Sequence, residues 1–295
     1  MASREAKGET VLVTGASGFI GSTLVRGLLD RGYTVRAGVL NPDDEAETDH
    51  LLALAAGAGG GHLSIFRCDL LDGAALTDAA RGCSGVFHLA SPCTVDPVKD
   101  HLNQLMVPAV EGTRNVLRAA KEAGGVRRVV VTSSISAIVP SPGWPAGEVR
   151  DERCWTDIDY CEKNGVWYPA SKTLAEKAAW KFAEENGLDV VVVNPGTVLG
   201  PMIPPTINAS MAMIRQPPRR LRRGVRGFLH GTSPCGRRCL GSYPCVREPI
   251  SVREAHLRGV HLSLERLRGQ SRGDLSQLQR NLRLSFWIHD KYMEY

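Results

Sequence analysis

Short apolar runs alternate with amphipathic stretches over the first two hundred residues of the chain. Strands are predicted at 11–14, 34–39, 63–67, 85–89, 128–133 and 189–193, and helices near 19–31, 74–81, 101–123 and 169–187. Val129-Val-Val131 and Val190-Val-Val-Val193 are continuous β-branched runs, typical of parallel strands buried on both faces. The alternation predicts an α/β fold, a Rossmann-type doubly wound parallel sheet that binds ligands beyond the carboxyl ends of its strands.

A glycine-rich turn joins the first predicted strand to the first predicted helix. Gly15 allows the sharp turn out of the strand, Gly18 lets the backbone approach a pyrophosphate, and Gly21 lets the helix pack closely on the strand. The helix N-terminus then faces the phosphates with free N–H groups and the positive end of its dipole. Since the motif lies between a strand and a helix, it predicts dinucleotide binding, and an ordinary glycine-rich turn is the alternative.

A second motif, Tyr168-x-x-x-Lys172, predicts proton transfer. The two side chains are one helical turn apart and lie on one face. A tyrosine with an ordinary pKa near ~10 exchanges protons poorly at neutral pH, and a nearby ammonium lowers that pKa. Ser134, at the end of a predicted strand, is placed to polarise a carbonyl oxygen. Tyr-x-x-x-Lys recurs by chance on many helices, but together with the glycine turn it predicts hydride transfer to or from a carbonyl.

Composition and charge narrow the class of protein. No run of 18 apolar residues occurs, the N-terminus lacks an apolar signal core, and the eight cysteines are scattered. These features predict a cytoplasmic protein with reduced thiols and no membrane partner. Charge is uneven, since residues 1–214 hold 19 Lys+Arg and 25 Asp+Glu, whereas residues 215–295 hold 17 and 6.

The chain resembles the extended short-chain dehydrogenase/reductases, and within them the plant cinnamoyl-CoA reductase and dihydroflavonol reductase group. The matching stretches cover about residues 9–214: VTGASGFIGS, GYTVRA, NPDD, CDLLD, GCSGVFHLASP, VRRVVVTSS, DERCWTD, WYPASKTLAEKAAW, VVVNPGTVLGP and PTINAS. The last two disfavour sugar-nucleotide epimerases. The resemblance implies an NADP(H)-dependent oxidoreductase that reduces an aldehyde, a ketone or a hydroxycinnamoyl-CoA thioester in phenylpropanoid-type metabolism. A truncated, non-catalytic nucleotide-binding protein is the alternative.

The resemblance also implies site residues and partners. Ser134, Tyr168 and Lys172 form the catalytic set, in which Tyr168 protonates the carbonyl oxygen as hydride arrives and Lys172 also bonds to the nicotinamide ribose. We expect a small-molecule carbonyl substrate, no nucleic acid, no metal, and a monomer or homodimer. The residues expected around the cofactor are Gly15, Ser17, Gly18, Phe19, Ile20, Gly21, Arg36, Asp69, Leu70, His88, Ala90, Ser91, Thr132, Tyr168, Lys172, Pro195, Thr197 and Val198. For His88, at an apolar strand end, a structural role is the alternative.

Two departures from the family pattern affect ligand choice. Leu40 stands where many relatives carry an Arg for the 2′-phosphate of NADP, and an acidic segment follows it. The second predicted strand does not end in the Asp or Glu usual for NAD, so NADP is expected on family grounds, with Arg36 as the remaining cation and NAD as the alternative. The best-known cinnamoyl-CoA reductases read Trp-Tyr-Cys-Tyr-Gly-Lys where this chain has Trp167-Tyr-Pro-Ala-Ser-Lys172, which leaves thioester, aldehyde and ketone substrates open.

The chain divides into residues 1–200, a dinucleotide-binding Rossmann domain, residues 201–214, the start of a substrate domain, and residues 215–295, an atypical Arg-rich tail. The tail is expected to form little packed structure, because it buries too few apolar groups to offset its ordering entropy. Two functional interpretations are a nucleic-acid-binding extension and a metal site, of which the second would use His230, Cys235, Cys239 and Cys245.

A frameshift is the favoured explanation of this tail. Back-translation of residues 217–228, read one nucleotide later with suitable synonymous codons, gives LLEGCAEEYED, which resembles the segment that the family carries at this place.

Overall fold

The computed structural model describes residues 8–57, 62–93, 98–145, 148–215 and 286–289. A sheet with the strand order β3-β2-β1-β4-β5-β6-β7 forms the centre of this part of the chain. Strands β1 to β6 run parallel to one another, and β7 runs antiparallel to β6. The strands are β1 (Thr10–Thr14), β2 (Thr34–Val39), β3 (His62–Arg67), β4 (Gly85–His88), β5 (Arg128–Thr132), β6 (Val190–Pro195) and β7 (Phe286–His289).

Helices connect the parallel strands. They are α1 (Phe19–Leu29), α2 (Glu45–Gly57), α3 (Gly73–Ala80), α4 (Val107–Glu122), α5 (Ile158–Asn164), α6 (Trp167–Asn186) and α7 (Ala209–Arg215). A π-helical turn (Leu102–Met106) precedes α4, and a short 3₁₀ helix (Ile135–Ala137) follows β5. Among the described residues, no helix has both the length and the apolarity needed to span a bilayer.

The strands bury alternate side chains in two cores, one on each face of the sheet. Leu12 of β1 packs with α3, α4 and α6, in a cluster that includes Leu117 and Trp180. Its neighbours Val11 and Val13 point to the other face, where they meet α1 and α2. Because successive strand residues point to opposite faces, a continuous apolar run is what a sheet covered on both sides requires. The predicted doubly wound architecture is therefore confirmed.

The strand order places a ligand crevice beside β1. From β1 the chain builds outward through β2 to β3, and then returns to β4 on the other side and continues to β6. At such a reversal the loops leaving the two central strands diverge, which opens a crevice at their carboxyl ends. The loops after β1 and β4 border this crevice, and the predicted site residues of β5 and α6 lie beside it.

The six predicted strands and the four predicted helices are found with small shifts of their ends. Helices α2, α5 and α7 and strand β7 are additional. Strand β7 lies inside the Arg-rich tail, where the sequence predicts little packed structure. Apart from these four residues and Arg215, the predictions about the tail, including the nucleic-acid-binding and metal-site interpretations, fall outside the described residues.

Candidate active site

The glycine turn after β1 is packed so closely that it has no room for side chains at two of its positions. Gly15 has φ +66°, and a Cβ there would lie 2.8 Å from the backbone N of Ala90. A Cβ on Gly21 would lie 2.1 Å from the carbonyl O of Gly15. Gly18 begins α1 in an extended conformation and leaves the helix without a side-chain cap. The uncapped N–H groups of α1 fit a pyrophosphate, as the sequence predicts.

The loop after β6 closes over the start of α1. Val198 packs on Phe19, with Ile20 and Met211 beside them. The loop is held from α7, because the Val198 backbone N–H donates to the Ser210 hydroxyl at 3.1 Å. Pro195 ends β6 and is buried, whereas Thr197 is exposed. The predicted residues of this loop are thus placed beside the glycine turn, on its α1 side.

His88 is buried at the end of β4, and both of its ring nitrogens have hydrogen-bond partners. Its Nδ1 lies 2.9 Å from the Thr14 Oγ1, and its Nε2 lies 3.1 Å from the Thr113 Oγ1. Thr113 donates its proton to the Ala109 carbonyl, so it must accept from Nε2. Thr14 accepts the Leu89 and Ala90 backbone N–H groups, so its own proton goes to Nδ1. The ring is therefore a neutral Nε2–H tautomer, and burial together with the charge of Lys172 lowers its pKa to about 3.

Two residues that are expected around the cofactor, Asp69 and Leu70, follow the end of β3. The Asp69 Oδ1 accepts the backbone N–H of Leu71 at 2.9 Å, which fixes the turn. Leu70 packs so closely on α4 that a Cβ on Gly112 would lie 2.8 Å from the Leu70 Cβ. The Asn115 amide donates to the Leu70 carbonyl at 3.0 Å. Asp69 and Leu70 are thus both held rigidly at the carboxyl edge of the sheet.

Arg36 does not lie at this edge. Its guanidinium donates to the backbone carbonyls of Ala79 at 3.0 Å and of Arg81, both at the end of α3. It also covers the Phe66 ring at 5.0 Å. Since the chain from α3 enters β4 at the amino edge of the sheet, Arg36 points away from the crevice. The prediction that Arg36 contacts the cofactor disagrees with this placement, because alternation along β2 turns its side chain toward α3.

A carboxylate that the sequence prediction missed lies at the end of β2. Glu47, in the first turn of α2, accepts the backbone N–H of Leu40 at 2.9 Å through its Oε2. The same oxygen accepts the hydroxyl of Ser17 at 3.5 Å. The signal was hidden because α2 itself, an acidic and weakly amphipathic stretch, was not predicted as a helix. Glu47 therefore joins the glycine turn to the end of the second strand.

The predicted catalytic residues meet at the end of β5. Tyr168 lies in the first turn of α6 and forms a side-chain hydrogen bond with Ser134, which follows β5. The Lys172 ammonium, one turn further along α6, donates to the Thr132 carbonyl at 3.0 Å. Burial raises the pKa of Tyr168, the Cys93 thiol raises it further, and the hydrogen bond from Ser134 lowers it. The sequence predicts that Lys172 lowers this pKa, but the net shift is upward and Lys172 is not among its causes, so Tyr168 keeps its proton at neutral pH.

A buried polar network lies behind Lys172. Glu176, on the next turn of α6, accepts the Asn194 amide at 2.9 Å and the Trp180 indole N–H at 3.4 Å. The same Asn194 amide donates to the carbonyl of Ser134 at 3.1 Å, so the network reaches Ser134. Burial lowers the pKa of Lys172 to about 8, and the charges of Cys93 and Glu176 oppose this shift. Glu176 is the second carboxylate that the sequence prediction missed, although its spacing from Lys172 was visible.

A small cavity lies beside this network. Its lining residues show which polar groups are available to a dinucleotide here. Ser91 and Ser133, whose hydroxyls are buried and have no hydrogen-bond partner, line it together with Lys172. The cavity is about the size of one water molecule, so these unpartnered hydroxyls offer polar contacts beside the ammonium but do not by themselves form a pocket for a sugar ring. The glycine turn fits a pyrophosphate, whereas the end of β2 carries the Glu47 carboxylate, and Arg36 of β2 is turned away from it. Within the described ranges, no group of three or more His, Cys, Asp or Glu is arranged to hold a metal ion.

Comparisons with known proteins agree with this geometry. Residues 11–227 match the NAD dependent epimerase/dehydratase family. Cinnamoyl-CoA reductase CAD2 of Medicago truncatula is 47% identical over 209 residues, which cover 70% of this chain and 63% of that protein. Dihydroflavonol 4-reductase of Zea mays is 46% identical over 213 residues, 70% of this chain and 58% of that protein. The chain thus spans about three fifths of the length of these relatives.

A solved structure gives the same similarity. The structure of Gre2 from Candida albicans in complex with NADPH is 32% identical, with a TM-score of 0.57, and the match covers 70% of this chain and 64% of Gre2.

Proposed function

Because the chain belongs to the NAD dependent epimerase/dehydratase family, we propose that it is an NADP(H)-dependent oxidoreductase that reduces the carbonyl of a small molecule. The observation that carries this proposal is the contact between Ser134 and Tyr168, one helical turn from Lys172 and beside the crevice of the glycine turn. The relatives named as reductases and the NADPH complex of Gre2 support it. The dinucleotide supplies the hydride when bound, and NADH is the alternative donor.

Ser134, Tyr168 and Lys172 each have a separate role in the proposed reaction. Ser134 donates a hydrogen bond that holds the substrate carbonyl oxygen near Tyr168. As a new C–H bond forms at the carbonyl carbon, the π electrons of C=O move to the oxygen, which takes the proton of Tyr168. Because its pKa is raised, Tyr168 carries the proton at neutral pH, and releasing that proton to the oxygen requires stabilisation of the phenolate. The phenolate that remains lies near the Lys172 ammonium, which stabilises its charge.

The substrate class follows from the relatives. An aldehyde, a ketone or a hydroxycinnamoyl-CoA thioester of phenylpropanoid-type metabolism fits the proposed chemistry, and Pro169-Ala-Ser171 between the catalytic pair leaves the choice among them open. The enzyme works in the cytoplasm as a monomer or homodimer. Residues 1–200 form its dinucleotide domain, residues 201–214 begin its substrate domain, and residues 215–295 form the tail.

Binding and turnover measured separately test the proposal. NADPH and NADH are titrated into the purified chain, and a panel of hydroxycinnamoyl thioesters, aldehydes and dihydroflavonols is then assayed. Removing the acid in Tyr168→Phe should lower kcat by about 10²–10⁴-fold and change the nucleotide affinity far less, since only one hydroxyl of the expected cofactor contacts is lost. Tyr160→Phe, at an exposed tyrosine of α5, is the matched control and should keep full activity. Nucleotide binding without turnover of any substrate would support the non-catalytic alternative.

A further inference from the structure

The contact of Glu47 with both Leu40 and Ser17 places a carboxylate at the adenosine end of the crevice. In doubly wound dinucleotide folds, a carboxylate at the end of the second strand accepts the ribose 2′-hydroxyl of NAD, whereas an Arg there accommodates the 2′-phosphate of NADP. The end of β2 itself has no acidic residue. Helix α2 supplies one from its first turn instead, because the Glu47 Oε2 lies 2.9 Å from the Leu40 backbone N.

The segment from Leu40 to Glu47 contains no cationic side chain, although Arg67 ends the neighbouring strand β3 beside Val39. Arg36 is held at the end of α3 by carbonyl groups. Leu40 is apolar and 60% exposed. The segment between Leu40 and Glu47 adds three further acidic side chains, Asp43, Asp44 and Glu45. A 2′-phosphate at the end of β2 would therefore face several carboxylates. Like charges in close contact disfavour binding.

The N-terminus of α2 is not free to compensate. Its first-turn N–H groups could bind an anion, as helix N-termini do. The Asp44 carboxylate already accepts the backbone N–H of Ala46 at 2.9 Å. Glu47 then places its own charge over the same turn. The helix end is thus capped by the chain's own carboxylates.

We propose that Glu47 determines the choice between NADPH and NADH in this chain, by accepting the ribose 2′-hydroxyl and opposing a 2′-phosphate. The proposal rests on the proposed function in one respect only, namely that the chain binds a nicotinamide dinucleotide. It predicts that the two dinucleotides bind with dissociation constants within about tenfold of each other, since the contacts made by the phosphate are offset by repulsion from Glu47.

Direct titration by nucleotide fluorescence tests this without any turnover. Glu47→Gln keeps the shape and removes the charge, so the NADPH dissociation constant should fall by about tenfold, as expected for losing one unit charge near a phosphate. The NADH constant should stay the same or rise. Glu45→Gln, on the same turn but without the contact to Leu40, is the matched control and should change either constant by no more than about twofold. The pair 5′-AMP and 2′-phospho-5′-AMP isolates the adenosine end.

Three results would overturn the proposal. Equal weakening of both dinucleotides in Glu47→Gln would mean that Glu47 only fixes the Leu40 turn. The competing cation is Arg67, which pairs with Val39 at the end of β3. If Arg67→Gln weakens NADPH binding more than NADH binding while Glu47→Gln changes neither constant, Arg67 determines the choice. Failure of the unaltered chain to bind either dinucleotide would overturn both this proposal and the proposed function. Binding without turnover would overturn the proposed function alone.

Discussion

Replacing Glu176 by Gln should move the alkaline limb of the pH–activity profile toward lower pH. Glu176 lies one helical turn after Lys172, and both side chains are buried, at 2% and 6% exposure. Burial lowers the pKa of Lys172 to about 8, and Glu176 and Cys93 oppose that shift. The other titratable groups that face the ammonium are Tyr168, which is protonated, and His88, which is neutral. Glu176 is therefore one of two groups that oppose the shift, and its contribution follows that of Cys93.

The size of the effect follows from Coulomb's law. Side chains four residues apart on a helix are about 6 Å apart, and two unit charges at that distance interact by about 3 kcal/mol at an effective dielectric constant of about 20. That energy corresponds to a pKa change of about two units. Lys172 is protonated below its pKa, so losing the carboxylate makes it neutral at a lower pH. Activity that requires the cation should then begin to fall near pH ~6 rather than about 8.

The assay is kcat/KM measured from acidic to alkaline pH, with NADPH affinity and thermal unfolding followed in parallel. Asn194 and Trp180 both donate to Glu176, so Gln loses at least one good hydrogen bond, and the free energy of unfolding should fall by about 1–2 kcal/mol. Glu185→Gln, which removes the exposed partner of Lys181 on the same helix, is the control and should leave the profile unchanged. An alkaline limb in Glu176→Gln that coincides with the unaltered one would refute the reasoning.

Two further predictions concern Gly21 in the glycine turn and the buried His88. Gly21→Ala places a Cβ 2.1 Å from the Gly15 carbonyl, so it should cost about 1–3 kcal/mol of unfolding free energy and weaken dinucleotide binding, as seen by chemical denaturation and titration. Gly73→Ala, where a Cβ meets nothing within 4 Å, is the control, and equal losses in the two variants would contradict the expectation. The pKa of His88 is lowered to about 3. The unfolded chain then binds more protons below pH ~6.5, and the free energy of unfolding should fall by about 1.4 kcal/mol per pH unit as pH falls toward about 4. Denaturation curves of His88→Gln should lose part of this slope, and an unchanged slope would assign the acid sensitivity to other groups.

The sequence predicts the parallel sheet well, because its strands are long β-branched runs such as Val190-Val-Val-Val193 and its first turn requires glycine at defined positions. The catalytic set is predicted because Tyr168 and Lys172 share one helix and Ser134 ends a strand. The helix α2 was missed because Glu45–Gly57 has almost no apolar face, and with it Glu47 was missed.

Arg36 was misplaced for a different reason. Charge alone made it a candidate, but its neighbours Val35 and Ala37 are buried on the face of α1 and α2. Its own side chain therefore points to the opposite face. Contacts that depend on three-dimensional packing, such as Asn194 bridging Glu176 and Ser134, have no local signal in the sequence.

The neutral ring of His88 has a consequence for how the fold can vary during evolution. Thr14 must donate to Nδ1, and Thr113 must accept from Nε2. The two hydroxyls therefore have different hydrogen-bond roles, one as donor and one as acceptor. Replacing Thr14 by Val would leave Nδ1 without a donor, and replacing Thr113 by Val would leave the Nε2 proton without an acceptor. We therefore expect Thr14, His88 and Thr113 to covary among homologues. A homologue with an apolar residue in place of either threonine should also lack the histidine.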